Sequence, residues 1–163
     1  MIAVRAGRRD DVAFVFDCIH ALAVFEKLEH QFTGSARALE EHLFGASPSC
    51  ELLVAEKDGR PGGYALFFTT YSTFLTRPGL FLEDLFVLEK ERGSGVGRSL
   101  LTALAAITVE RGCGRLEWSV LDWNERAIRF YRSLGAAPVT GWTPYRIEAE
   151  ALAALARRDP LGE

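Results

Sequence analysis

The stretch Leu82-Glu83-Asp84-Leu85-Phe86-Val87, followed closely by Arg92-Gly93-Ser94-Gly95-Val96-Gly97-Arg98-Ser99, constrains this chain more than any other segment. An apolar strand carrying two carboxylates runs into a turn of alternating glycines, and that turn opens a helix. Alternating glycines permit positive φ, so successive backbone N–H groups can face inward as a nest, and the first turn of a helix adds unpaired N–H groups and partial positive charge. The pattern implies an anion held beside a proton acceptor, with Arg92 and Arg98 available to phosphate oxygens. A plain Gly-rich connector shares the same spelling. A nucleotide P-loop does not fit, because the sequence has no GxxxxGK[ST]. The dinucleotide fingerprint fails too, since this turn follows a predicted antiparallel meander and has the wrong glycine spacing.

Periodicity organises the rest. Met1 to Arg5 reads as a short strand. Asp10 or Asp11 can cap a helix with Val12, Val15, Phe16, Ile19, Leu22 and Ala23 on one face, continuing toward Leu28. Ser35 can cap a second helix through Leu43. Glu51 to Lys57 and Gly62 to Tyr71 form a hairpin across Asp58-Gly59, and a third strand from about Leu80 to Leu88 follows a turn at Thr76-Arg77-Pro78-Gly79. Gly95 to Arg111 is helical, Arg115 to Leu121 a strand and Asn124 to Ser133 a short helix. Pro138 to Ile147 can supply a last strand or extended arm, and Glu148 to Arg157 a terminal helix. The order βαα, βββ, α, β, α, β, α gives an α+β fold on a mixed α/β sheet.

At 163 residues, 48% of them hydrophobic, the chain suits a single domain over residues 1–163. The formal charge of −3 and the lack of a Lys/Arg block argue against a nucleic-acid partner. No apolar run reaches membrane-span length, and the N-terminus lacks the plan of a signal peptide. Cys18, Cys50 and Cys113 are widely separated, which suits neither a disulfide framework nor a metal site. A reducing, cytoplasmic setting is expected.

Arg92-x-x-Gly95-x-Gly97 after a strand, then a long helix, a strand and the Asn124-x-x-Ala127-x-x-x-Tyr131 helix ending in Leu134-Gly135-Ala136, resembles the GNAT superfamily of acetyl-CoA-dependent N-acetyltransferases. The similarity covers nearly the whole chain. Leu82 to Val87, Val120-Leu121-Asp122-Trp123-Asn124 and Phe130-Tyr131-x-x-Leu134-Gly135-Ala136 look closest to its diamine (spermidine/spermine and thialysine) acetyltransferases. The resemblance implies a splayed, mostly antiparallel central sheet flanked by helices, and acetyl-CoA as cosubstrate. It implies that backbone groups of Leu85, Phe86 and Val87 pair with the pantetheine arm, and that Arg92, Gly93, Ser94, Gly95, Val96, Gly97 and Arg98 wrap the pyrophosphate. Asn124, Glu125, Arg126 and Ala127 would flank the cofactor, with the Tyr131 hydroxyl near the thioester sulfur.

Direct acetyl transfer to an amine requires loss of an ammonium proton, polarisation of the thioester carbonyl and protonation of the leaving thiolate. Glu83 and Asp84 point to opposite faces of a regular strand. Either can instead cap a loop or pair with an arginine. The resemblance selects Glu83 as the group that accepts the amine proton through ordered water, and leaves Asp84 a neighbour without a defined role. Tyr131 can donate a proton to the thiolate, against the alternative of an ordinary core aromatic. Phe25 and Glu26 match the family's acceptor-binding residues, with Glu26 on a distal ammonium. Lys27 beside it favours a short diamine or lysine-like amine over a long polyamine, and a solvated helix face is the other account of this segment. Tyr64, Phe68, Tyr71 and Phe74 are alternating hairpin aromatics, either core or faces for a cation. Trp142 and Tyr145 match a late segment that crosses to a partner subunit, so a homodimer is implied. The expected partner is a small amine. Another amine class (an aminoglycoside, an amino acid or a protein N-terminus) and a non-catalytic acyl-CoA sensor remain open.

Overall fold

Residues 52–55 are buried without alternation inside their strand. A strand hidden on both faces needs helices on both sides of its sheet. The computed structural model, which describes residues 1–157, meets that condition in its first compact unit, Met1–Leu121. Five strands lie in the order β1 (Ile2–Ala6), β2 (Glu51–Lys57), β3 (Arg60–Ser72), β4 (Arg77–Val87) and β5 (Leu116–Trp118). The first four pair antiparallel and β5 joins β4 in parallel. This is the mostly antiparallel mixed sheet expected from the sequence.

Helices α1 (Val12–Phe25) and α2 (Ala36–Phe44) cover one face. Val15, Cys18 and Leu43 pack there on Leu52, Val54, Tyr64, Leu66 and Phe86. Helix α3 (Val96–Glu110) buries Val96, Leu100, Leu101 and Leu104 against the other face. Its start approaches β3 so closely that a Cβ on Gly63 would sit 2.5 Å from the Phe86 carbonyl oxygen and 3.1 Å from Val96 Cγ1. Asp11 fixes the entry to α1: its carboxylate accepts from Arg5 Nη1 and Nη2 at 2.7 and 2.9 Å and from the Arg8 N–H at 2.7 Å. Ser35 caps α2 by accepting from the Ala38 N–H. Asp58 and Gly59 both take positive φ in the β2–β3 turn, as a two-residue hairpin of this hand requires.

Several boundaries move. Helix α1 stops at Phe25 rather than near Leu28, because Lys27 turns to φ +62° and the Leu28 N–H closes on the Ala23 carbonyl. The β3–β4 turn occupies residues 73–76, where Ser72 Oγ accepts from the Leu75 N–H and Thr76 takes φ +51°. Arg77, Pro78 and Gly79 therefore belong to β4, not to the turn. β5 has three residues instead of the expected seven or so. The chain from Asp122 onward forms the second compact unit, with α4 (Glu125–Ser133) and α5 (Ala149–Ala156). Residues 138–147 form no strand there, which corrects the strand alternative for that segment. Among the described residues no helix is long and apolar enough to cross a membrane.

Candidate functional site

A short 3-10 turn, Glu89–Glu91, delivers the chain from β4 into the glycine turn. Gly93 and Gly95 take φ +83° and +102°, values that side-chain-bearing residues rarely adopt. Gly95 is the N-cap of α3 and supplies no side-chain cap, and the helix has no acidic residue in its first turn. The N–H groups of Val96, Gly97 and Arg98 thus open a helix of 15 residues without a capping side chain. Space around Gly93 is open to at least 4 Å from a Cβ position. Ser94 holds the loop from behind by donating its hydroxyl to the Glu91 carbonyl at 2.7 Å. Bare, positively polarised backbone facing open space is what a phosphate group needs.

Arg92 is already engaged. Its Nε donates to the Val87 carbonyl at 3.3 Å, and its guanidinium carbon stands 5.5 Å from the centroid of the Phe25 ring. The contact links the end of α1 to the glycine turn, joining two predicted site residues from opposite ends of the sequence argument. Arg98 is exposed. On β4 the ladder to β5 covers only Leu80, Phe81 and Leu82. Leu85, Phe86 and Val87 pair with β3 on the other side.

The β3–β4 ladder shifts register at a β-bulge. Leu66 is opposite Asp84 and Phe67 is opposite Leu82, so Glu83 is the extra residue. Directly opposed residues share a face. The bulge therefore moves Asp84 off the face of Leu82 and onto that of Leu66, Tyr64 and Phe86, toward α1. Glu83 is exposed on the bulge.

Asp84 and Glu26 line one open-mouthed cavity of about 170 Å³, beside Ile19, Leu22, Leu28 and Phe32, with Gln31 as its third polar side chain. Burial, with the charges of Glu83 and Glu26, pushes the Asp84 carboxyl up to about 6, against the opposing hydrogen bond from the Tyr64 hydroxyl at 3.2 Å. Burial also raises Glu26. Acids displaced upward stabilise the fold below the ordinary carboxylate range, and that contribution is lost as pH rises, through about 6 for Asp84. Holding Asp84 ionised at neutral pH costs about 3 kcal/mol. A cation in the cavity would offset that cost.

Of the acceptor-side residues chosen from sequence, Glu26 lines the cavity, Phe25 holds Arg92 and Glu83 is not among the lining residues. Asp84, left without a role in the sequence argument, is the second carboxylate of the cavity. Only the bulge reveals it.

The second unit is built around α4. Asn124 Oδ1 accepts from the Ala127 N–H at 3.2 Å, and Glu125 and Arg129 pair one turn apart at 3.2 Å. The helix closes with N–H bonds from Gly135 to the Arg132 carbonyl and from Ala136 to the Tyr131 carbonyl, with Gly135 at φ +88°. Tyr131 stands on the last full turn, its ring centroid 5.5 Å from that of Phe130. Asn124, Glu125, Arg126, Ala127 and Tyr131 thus share one short capped helix. Trp142 and Tyr145 are exposed.

Comparison with known proteins gives these sites a context. The sequence model of the acetyltransferase (GNAT) family matches residues 20–136. A thialysine N-epsilon-acetyltransferase from Mus musculus is 37% identical over 166 residues, spanning 95% of this chain and 97% of that protein. An L-ornithine N5-acetyltransferase from Arabidopsis thaliana is 30% identical over 197 residues, spanning 93% of this chain and 86% of that protein. Among solved structures, an integron cassette protein from the mobile metagenome of V. cholerae superposes with a TM-score of 0.78 at 23% identity, covering 96% of this chain and 98% of its own. An aminoglycoside acetyltransferase from a soil metagenome gives 0.72 at 16% identity, covering 90% and 97%. At such identities the structural matches speak for the fold alone.

Proposed function

The chain belongs to the acetyltransferase (GNAT) family, and from that premise we propose that it acetylates the primary amine of a small lysine- or ornithine-like amino acid, diamine or short polyamine, using acetyl-CoA. The observation that carries the acceptor class is the pair Glu26 and Asp84 in a cavity of about 170 Å³. Two desolvated carboxylates among aliphatic walls match an ammonium on a short methylene chain. The names of the thialysine and ornithine acetyltransferases agree with this choice.

Acetyl-CoA supplies the acetyl group as a thioester. The residues of the glycine turn fit its phosphates: uncapped N–H groups of Val96, Gly97 and Arg98, open space at Gly93, and positive charge from Arg92 and Arg98. Beyond Leu82 the described residues give β4 no β5 partner, and on the family pattern backbone groups of Leu85, Phe86 and Val87 are assigned there to an amide-bearing arm. Asn124, Glu125, Arg126 and Ala127 are assigned to the cofactor on the family pattern. On the family pattern, Glu83, exposed on the bulge, accepts the amine proton through water, and Tyr131 returns a proton to the departing sulfur. Glu26 and Asp84 orient the acceptor through its distal charge. Acceptor binding should weaken below about pH 6 as Asp84 takes up a proton.

We assign residues 1–163 to one acetyltransferase domain, because the family match runs across both compact units. A homodimer is proposed on the exposed Trp142 and Tyr145 of the late segment. The cytoplasm is proposed on the three free cysteines, Cys18, Cys50 and Cys113.

A panel of thialysine, ornithine, lysine, putrescine, spermidine, an aminoglycoside and an N-terminal peptide, assayed with acetyl-CoA, tests the acceptor class. The short amines should lead by at least tenfold in kcat/KM, and a leading aminoglycoside or peptide would overturn the assignment. Cofactor binding without product from any amine would instead mark a non-catalytic acyl-CoA sensor. For the glycine turn, Gly95→Val should raise the acetyl-CoA Kd at least tenfold by calorimetry, because φ +102° is strained for a β-branched residue. Unchanged affinity would remove the turn from cofactor binding.

A further inference from the structure

Tyr64 is fully buried beneath the acceptor cavity, within the cluster of Val15, Cys18, Leu66 and Phe86. Its ring centroid is 6.3 Å from that of Phe86, its cross-strand partner on β4. A phenylalanine would fill this apolar position equally well, so the ring alone does not explain a tyrosine. Burying a hydroxyl is costly unless it finds a partner. The partner is Asp84 Oδ2, 3.2 Å away and diagonal to Tyr64 across the β3–β4 ladder. That diagonal exists because the bulge at Glu83 turns Asp84 to the α1 face.

We infer that Tyr64 is the positioning residue of the acceptor cavity: its hydroxyl pins Asp84 from below and orients the carboxylate toward the space shared with Glu26. This rests on the amine-acceptor assignment above and deepens it. The groups acting on Asp84 come from three elements: Tyr64 on β3, Glu83 on β4 itself and Glu26 at the end of α1. Of these, Tyr64 alone favours the ionised carboxylate; the two glutamates and burial oppose it. Burial and the Asp84 charge hold the phenol well above its ordinary value, so it remains a donor throughout the working pH range. Tyr64 touches no reacting atom. It acts through Asp84, and its effect belongs to acceptor binding and its pH dependence.

The test compares wild type with Tyr64→Phe, in two readouts. Carbon-13 NMR follows the Asp84 carboxyl titration, assigned by its loss in Asp84→Asn, and kinetics follow kcat/KM for thialysine and ornithine against pH. In Tyr64→Phe the Asp84 midpoint should rise by about one pH unit, because a donor to the charged form is lost. The acidic limb of kcat/KM should move with it. KM for the amine should rise about tenfold, while KM for acetyl-CoA stays within twofold. In an Asp84→Asn background, Tyr64→Phe should add little. An unmoved Asp84 midpoint, or an equal rise in both KM values, overturns the inference. Uniform 3-fluorotyrosine labelling gives a second arm that spares the core, since the more acidic phenol should lower the midpoint, and a midpoint that does not fall counts against the role. Should wild type acetylate no amine, the functional assignment fails by itself, and the NMR titrations still decide whether Tyr64 holds Asp84.

Discussion

Tyr131→Phe should lower kcat about a hundredfold while acetyl-CoA binds as before. The substitution removes one oxygen and keeps the ring, so the contact with Phe130 at 5.5 Å and the Gly135-Ala136 closure of α4 persist. General acid catalysis contributes about 10²–10⁴ in rate. The lower end applies, because a thiol and a phenol lose their protons within about two pH units of one another in water, and a thiolate leaves readily even without full protonation. Steady-state kinetics give kcat, and calorimetry gives the cofactor Kd. A variant with wild-type turnover would make Tyr131 a plain packing aromatic. A fall in kcat matched by a loss of cofactor affinity would give it a binding role instead.

The glycine turn and the β2–β3–β4 meander could be read from the sequence because each rests on local rules. Alternating glycines need no tertiary context to permit positive φ, and Asp58-Gly59 specifies its own hairpin turn. The Asn124 cap and the Gly135 closure follow in the same way from single residues acting on the nearest backbone. The two carboxylates were a different matter. Strict alternation places Glu83 and Asp84 on opposite faces but does not say which face is which. The bulge breaks the alternation at that very point, so Asp84 leaves the parity of Leu80 and Leu82 and joins the α1 side. Nothing in the spelling Leu-Glu-Asp-Leu announces a bulge, because it arises from the pairing of β4 with β3 across the sheet. Phe25 shows the same limit. It reads as an acceptor-side aromatic, and its contact with Arg92 forms only when the end of α1 is brought to the glycine turn. Residues 138–147 failed as a strand for the opposite reason: the apolar content there has no ladder to join in the described structure.

Glu26→Gln combined with Asp84→Asn should lower kcat/KM for a short amine about a thousandfold and, at the same time, stabilise the protein. The loss follows from two charge-assisted contacts, each worth about 1.5–3 kcal/mol, or about tenfold to a hundredfold. The gain follows from the burial that makes the site work. Asp84 titrates near 6, so above that pH the empty cavity keeps a desolvated charge that the amide does not carry. Removing it should add about 3 kcal/mol at pH 8, a rise of about 8 °C in Tm for a chain of this size, and almost nothing at pH 4, where the folded-state acid is already neutral. Denaturant unfolding at the two pH values measures that difference. Opposite signs for activity and stability are what a ligand-binding pair predicts, since its cost is met when the ammonium arrives. If the carboxylates were structural instead, their removal would weaken the fold at pH 8 and leave acceptor kinetics near wild type.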